Sequence, residues 1–287
     1  MGTGGPRPRT ERFGYSTLIE IGEKKLLFDS GRGVAIRLAH FGIPLREITS
    51  LFITHLHSDH IVGIPDIWLS GWTLRRTEPF KVWGPEGTVS MMTHLEKAYD
   101  FDIRTRREGT RPLSEEGIRV VATDISEGVV FNQDGVRVTA FKVEHGAVKP
   151  SYGYRVDFEE KGVCISGDTG PSENLIRVCK GVDLLIHEVL AVEIMRPANI
   201  TEIWLKALRE LHTSPQEAGR IFSQIRPKLA VFSHYGAGSA SYNELEPLIR
   251  EETRKTYAGP LIVGNDLMRF VISEDVTLEP PQGMEPN

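Results

Sequence analysis

The sequence predicts an α/β protein of one domain. Three observations carry this. Apolar runs of strand length give way to amphipathic stretches at helical spacing, and the order strands then helices occurs twice. Several strand-like runs end on a His or an Asp, as at His55, His145, Asp168 and His234. The 287 residues are 40% apolar and 25% charged, which suffices for a sizeable core, and no Pro/Ser/Gly-rich linker divides the middle. A single domain over residues 1–277 is expected, followed by a flexible Pro-rich tail at 278–287.

In chain order, residues 1–14 form a lead rich in Gly, Pro and Arg. Ser16 to Phe28 reads as a hairpin turning at Gly22-Glu23-Lys24, with a polar turn at Asp29-Ser30-Gly31 behind it. Asp29 is expected to serve that turn or to support a site from behind. A helix follows over Val34 to His40, ended by Phe41-Gly42-Ile43-Pro44. Ile48 to Thr54 reads as a buried strand, and Pro65 suits the first turn of the next helix. Phe80 to Trp83 is a strand and Thr88 to Tyr99 a helix, on which His94 is expected as a surface or packing residue, while His40 on its own helix is expected at the surface. Ile118 to Ala122, Gly128 to Phe131, Val136 to Val143 and Tyr152 to Val156 are strands, with Asp134-Gly135 as a hairpin turn and Lys161-Gly162 as a second turn. Val163 to Ser166 and Val182 to Ile186 are buried strands. Helices follow over Thr201 to Leu211 and, capped by Ser214 with Pro215 and Glu217, to Ile225. Leu229 to Ser233 is a strand, Glu244 to Lys255 a charged helix, and Pro260 to Val263 and Met268 to Ser273 close the fold.

Composition excludes several classes. A net charge of −5 gives no general attraction to nucleic acid, and no apolar run is long enough to span a bilayer, so no membrane partner is expected. The start is loop-like, without a charged segment leading into an apolar one. Of the two cysteines, Cys164 and Cys179, the first lies in an apolar run and is expected as a core residue; no disulfide framework is expected, and a cytoplasmic setting is the default.

The chemistry concentrates in Thr54-His55-Leu56-His57-Ser58-Asp59-His60. Alternate residues of an extended segment face one way, so His55 and His57 point together. Asp59 and His60 follow the turn and reach the same space from a second direction. Converging imidazoles and a carboxylate are what a divalent ion requires, and four such groups suit two adjacent ions. His145 and His234 stand at the ends of later strands, and Asp168, between two glycines, can bridge two cations.

The motif His55-x-His57-x-Asp59-His60, with His145, Asp168 and His234 in the same order, resembles the metallo-β-lactamase superfamily over about residues 2–275. The resemblance implies a four-layer αββα sandwich with the metal site at one edge of two packed sheets. It also implies that His55, His57 and His145 hold one metal, that Asp59, His60 and His234 hold the other, and that Asp168 bridges them. Within the superfamily the tRNase Z branch and its arylsulfatase-like relatives are most similar, through Gly2-Thr3-Gly4-Gly5, His187-Glu188 and His212-Thr213-Ser214. By that similarity His212 is a catalytic proton donor and Glu188 orients it. Two features depart from the tRNase Z pattern: the steps His145–Asp168 and Asp168–His187 are too short for an RNA-gripping arm, and Thr213-Ser214 reverses the usual order. Only the stretch 99–137, with Arg104, Arg106, Arg107 and Arg111, is roomy. The strand that precedes Gly-Thr-Gly-Gly in the family is absent from the sequence.

The expected protein is thus a dinuclear metallohydrolase, with two Zn²⁺ (Mn²⁺ and Fe²⁺ also suit nitrogen and oxygen donors), in which a bridging water activated by the metals cleaves a phosphodiester or sulfate ester. Asp59 is expected to accept the water's proton as well as to bind metal, with His212 and Glu188 completing the catalytic set. A small-molecule ester is the expected substrate. The alternatives are a tRNase Z-like 3′-processing endoribonuclease acting on RNA, a β-lactamase or lactonase, and a non-catalytic metal-binding protein; a homodimer is compatible with each. Trp68, Trp72 and Trp83 are expected in the core rather than in a substrate pocket.

Overall fold

The computed structural model describes residues 1–109, 113–191, 201–235 and 241–279. The N-terminal half begins with a hairpin of β1 (Thr17–Ile21) and β2 (Lys24–Phe28), turning at Gly22 with φ of +56°. It continues through α1 (Val34–His40), β3 (Ser50–Phe52), α2 (Ser58–Ile61), α3 (Ile64–Thr73), β4 (Phe80–Gly84), α4 (Thr88–Ala98), α5 (Asp100–Arg107), α6 (Glu115–Ile118) and β5 (Val120–Asp124). These strands form one sheet in the order β1-β2-β3-β4-β5, parallel except for the hairpin.

The C-terminal half contributes β6 (Gly128–Gln133), β7 (Val136–Lys142), β8 (Tyr152–Phe158), β9 (Lys161–Ile165), α7 (Glu173–Val178), β10 (Leu184–Glu188), α8 (Glu202–Leu211), α9 (Pro215–Ile225), β11 (Leu229–Ser233), α10 (Tyr242–Arg254) and β12 (Leu261–Val263). Its sheet runs β12-β11-β10-β9-β8-β7-β6, parallel from β12 to β9 and antiparallel from β9 to β6. A separate hairpin, β13 (Phe270–Ile272) with β14 (Val276–Leu278), closes the described chain.

Strand periodicity explains the layering. Leu26 and Phe28 of β2 point between the sheets and meet Phe52, Tyr154 and Ile165, whereas Leu27 between them points outward to the helix layer with Leu51, Trp68 and Trp72. Phe28, Phe52 and Trp83 stack at 5.0 and 4.8 Å between ring centroids. On the other outer face, Leu185 and Ala230 pack against Phe222 of α9 and Ile249 of α10. The result is the four-layer αββα sandwich, and Trp68 and Trp72 lie in its core. His40 and His94 are exposed.

Several expectations need correction. Helices α5, α6 and α7 and strand β14 show no clear periodic signal: α5 buries only Ile103, α6 and α7 span four and six residues, and β14 buries no residue. Lys161-Gly162 opens β9 instead of turning the chain; the turn lies at Glu159-Glu160, where Glu159 takes a positive φ of 50°. α10 starts at Tyr242, earlier than expected, because Ser241 and Glu244 form a reciprocal cap. The stretch Met268 to Ser273 joins neither large sheet: its Phe270–Ile272 forms a two-stranded sheet with β14, in which Leu278, expected in the tail, pairs with Phe270, and the Glu279 N–H donates to the Arg269 carbonyl. The rest of the expected tail, 280–287, and Arg111 lie outside the described residues.

The cysteine expectation is overturned. Cys164 of β9 faces α7, whose C-terminal cap is Cys179; their Cα atoms are 5.8 Å apart and the sulfurs are joined in a disulfide. With both cysteines in a disulfide, cysteine usage does not favour a reducing compartment. Among the described residues, no helix is long and apolar enough to cross a membrane.

Candidate metal centre and active site

The sheets present their strand ends at one edge, and the expected ligands converge there. The turn after β3 supplies His55 and His57, and α2 adds Asp59 and His60. Backbone bonds hold this segment in place: the Ser30 N–H donates to the His60 carbonyl at 2.7 Å, and the Gly63 N–H to the Ser30 carbonyl at 2.8 Å. Gly63 is required by this close approach, since a Cβ there would lie 2.6 Å from the Gly31 carbonyl oxygen.

The other half delivers His145 beyond β7, Asp168 beyond β9, Glu188 at the end of β10, His212 at the cap of α8 and His234 beyond β11. Three overlapping groups result: His55, His57 and His145; His55, His60 and Asp168; and Asp59, His60 and His234, with the nearest ligand atoms of each group within 4.8 Å of one another. Asp168 lies between the clusters, its Oδ2 3.5 Å from His60 Nε2 and 3.9 Å from His55 Nε2, its Oδ1 3.1 Å from His234 Nδ1. His234 Nε2 is 3.2 Å from Asp59 Oδ2. All seven expected ligands thus meet at one place, and the cluster opens to solvent at His57.

Groups behind the ligands fix their rings. His60 Nδ1 is 2.8 Å from Asp29 Oδ2, His55 Nδ1 is 3.0 Å from Thr54 Oγ1, and His145 Nδ1 is 2.8 Å from the Leu211 carbonyl. Each turns Nε2 toward the cluster, as a metal-binding imidazole requires. Asp29 also accepts from the Thr54 N–H and hydroxyl, both at 2.8 Å. Tyr15 covers the far side, with its ring centroid 5.6 Å from His60 and 5.5 Å from His234. Sequence reasoning placed Asp29 behind the site but missed Thr54, Tyr15 and the Leu211 carbonyl; a packing contact and a backbone acceptor leave no residue-type signature.

The residues fit a pair of divalent cations. His55 Nε2, His60 Nε2, His234 Nδ1 and Asp168 Oδ1 are buried without a hydrogen-bond partner. Orphaned buried polar atoms are costly, and four aimed into one space are accounted for by cations. Burial also pushes the His55 and His145 pKa values down, favouring the neutral imidazole that donates to a metal. Burial works against the Asp168 charge, but His234 and His60 overcome it and hold this carboxyl well below its ordinary range.

Beside the ligands, His212 Nδ1 lies 3.1 Å from Glu188 Oε1, and the His212 ring sits 5.2 Å from that of His145. Burial opposes the charge on His212, but Glu188 outweighs it and raises the pKa to about 9. Glu188 Oε1 also accepts from the Thr169 and Thr213 N–H groups at 3.1 and 3.2 Å. His187, one residue earlier, points to the opposite face and packs edge-on against Phe222, away from the cluster.

Fold and site together define a class. A family model for the β-lactamase superfamily domain matches residues 24–235. The chain belongs to the metallo-β-lactamase superfamily and is a hydrolase of that type with clusters suited to divalent metal. Among its relatives, the protein named ribonuclease Z from Mycobacterium sp. (strain KMS) is 30% identical over 282 residues, covering 98% of this chain and 97% of the relative. Ribonuclease Z of Mycobacterium marinum (strain ATCC BAA-535 / M) is 30% identical over 275 residues, covering 95% and 97%. Similar solved structures include the metallo-β-lactamase fold protein YhfI of Bacillus subtilis (TM-score 0.67, 19% identity, 92% of this chain and 94% of that one) and human tRNase Z, short form (0.66, 21%, 93% and 95%). At these identities the two structures speak to the fold alone.

Proposed function

We propose that the protein is a dinuclear metallo-phosphodiesterase acting on RNA, with His212 as the proton donor to the leaving oxygen. The observation that carries this is the Glu188–His212 pair standing beside the ligand cluster. His55, His57 and His145 would hold one cation, Asp59, His60 and His234 the other, and Asp168 both. Nitrogen and oxygen donors without thiolate suit Zn²⁺, which we propose as the metal, and also Mn²⁺ or Fe²⁺. Bound there, the cations supply Lewis acidity and a water that ionises near neutral pH.

The chain's own residues do the rest. Asp59 accepts the proton of the attacking water. His212, protonated at neutral pH because its pKa is raised to about 9, gives its proton to the departing oxygen. Glu188 holds the ring through Nδ1, which leaves Nε2 to face the substrate, and stabilises its charge. The Thr169 and Thr213 N–H groups in turn fix Glu188.

The ribonuclease Z relatives support RNA as the phosphodiester. This chain matches 97% of the length of each of these relatives. The test is metal content per chain together with turnover of bis(p-nitrophenyl) phosphate, p-nitrophenyl sulfate and a precursor tRNA. Two metals with phosphodiester and precursor cleavage are expected. Sulfate hydrolysis without phosphodiester hydrolysis overturns the reading.

A further inference from the structure

Helix α8 carries more than the proposed proton donor. Its Leu211 carbonyl holds His145, the Leu211 side chain packs over Gly146, and the residue after it is His212. Its apolar positions are Ile203, Trp204, Leu205, Ala207, Leu208 and Leu211, and its charged ones Glu202, Lys206, Arg209 and Glu210. At 100° per residue these sort onto two separate faces. The apolar face is covered toward the C-terminal end, where Leu205 is buried and Leu208 and Leu211 are half-buried. It is bare at the other end, where Ile203 is 83% and Trp204 65% exposed.

Trp204 and Leu211 are seven residues apart. They point within about 20° of each other and lie about 10 Å apart along the helix. Trp204 thus stands on the same side of α8 as Leu211, the side that meets Gly146 next to His145. An indole presented to solvent on an apolar stripe continuous with a catalytic edge suits a flat ring of the substrate. A base rises about 3.4 Å per stacked step, so the distance equals roughly three bases.

We propose that Trp204 is a stacking subsite for a nucleobase of the strand on the leaving-group side, about three nucleotides from the scissile phosphate. This rests on the phosphodiesterase reading above. His212 fixes which side that strand takes, because the group that protonates the leaving oxygen borders the leaving strand. Base–aromatic stacking tolerates any base, so the subsite selects for strand length rather than sequence.

The test compares wild type, Trp204→Ala and Trp204→Phe on bis(p-nitrophenyl) phosphate and on oligonucleotides whose leaving strands carry one to five nucleotides. KM for Trp204→Ala is expected to rise about tenfold once the leaving strand reaches three nucleotides, with kcat unchanged and Trp204→Phe restoring most of the loss. Kinetics on bis(p-nitrophenyl) phosphate should not move. In parallel, a non-cleavable oligonucleotide should quench an emission that is present in wild type and missing from Trp204→Phe, since Trp68 and Trp72 are buried and Trp83 is stacked on Phe52. Equal KM changes on every substrate, no dependence on strand length, or no Trp204-dependent quenching overturns the subsite. If wild type cleaves no phosphodiester, the phosphodiesterase reading fails, and the quenching experiment still decides whether Trp204 binds bases.

Discussion

The two halves of the site are built differently. In the N-terminal half, His55, His57, Asp59 and His60 leave one turn and one short helix. In the C-terminal half, His145, Asp168, Glu188, His212 and His234 arrive from the ends of five elements. The first half is written in local sequence, so its geometry follows from a few residues of backbone. The second exists only after the seven-stranded sheet has formed with its helices. The second half also carries what the first lacks, a carboxylate lying between the clusters and the His212–Glu188 pair to which we assign proton donation.

This contrast can be broken most sharply at Asp168. Asp168→Ala removes the one carboxylate facing both clusters, and hydrolysis should fall roughly 10⁴-fold or more, as for loss of one member of a catalytic unit. Metal analysis should show fewer than two ions per chain; two ions and full turnover would contradict the bridging role. His57→Ala should likewise lose metal and hydrolysis, though its effect stays with one cluster. His212→Ala separates binding from chemistry. Two metals should remain while turnover of esters with poor leaving groups drops by about 10² to 10⁴, the usual range for a general acid. An unchanged rate would remove His212 from the mechanism. In the metal-free protein the His212 ring should titrate near 9 by NMR, and Glu188→Gln should lower it, since Glu188 is the main group that opposes burial.

Smaller effects sharpen the comparison. Asp29→Asn keeps a residue that tolerates the φ of +57° but weakens the grip on His60, so metal affinity should fall roughly 10- to 100-fold. Competition with a chelator measures this. Ser214→Ala should cost about 1 kcal/mol of stability in denaturant unfolding, because it breaks the cap of α9 and touches no ligand. A loss of metal from that variant would mean that α9 supports the site more directly than its contacts show.

Legibility followed the same division. The alternation in β7, the continuous apolar run of β11 and the Ser214-Pro215-Gln216-Glu217 start of α9 were readable because each is a local pattern. His55 to His60 stood out because three imidazoles within six residues seldom gather except around a metal. His212 gained meaning only from the resemblance, since a His after a helix serves many purposes, and for Asp168 the resemblance strengthened a bridging role that its Gly-Asp-Thr-Gly loop alone left open. What stayed hidden is tertiary. No pattern announces that Leu211 lends its carbonyl to His145, that Tyr15 covers His60 and His234, or that Cys164 meets Cys179 across β9 and α7. Those depend on elements far apart in the chain, while α6 and α7 lack the length for a clear period and α5, with only Ile103 buried, lacks an apolar stripe.

The Cys164–Cys179 link encloses Asp168 and Thr169 in its loop. Reduction therefore acts on the assembly of the C-terminal half before it acts on chemistry. Closing a loop of 15 residues restricts the unfolded chain by about 3 kcal/mol in the chain-entropy picture. Thermal unfolding in dithiothreitol, or of the Cys164→Ala/Cys179→Ala variant, should show a lowered midpoint; no shift would make the link dispensable. The medium around the protein thus bears on how much of the chain is folded and able to load metal, and redox conditions belong beside metal concentration when its activity is compared between preparations.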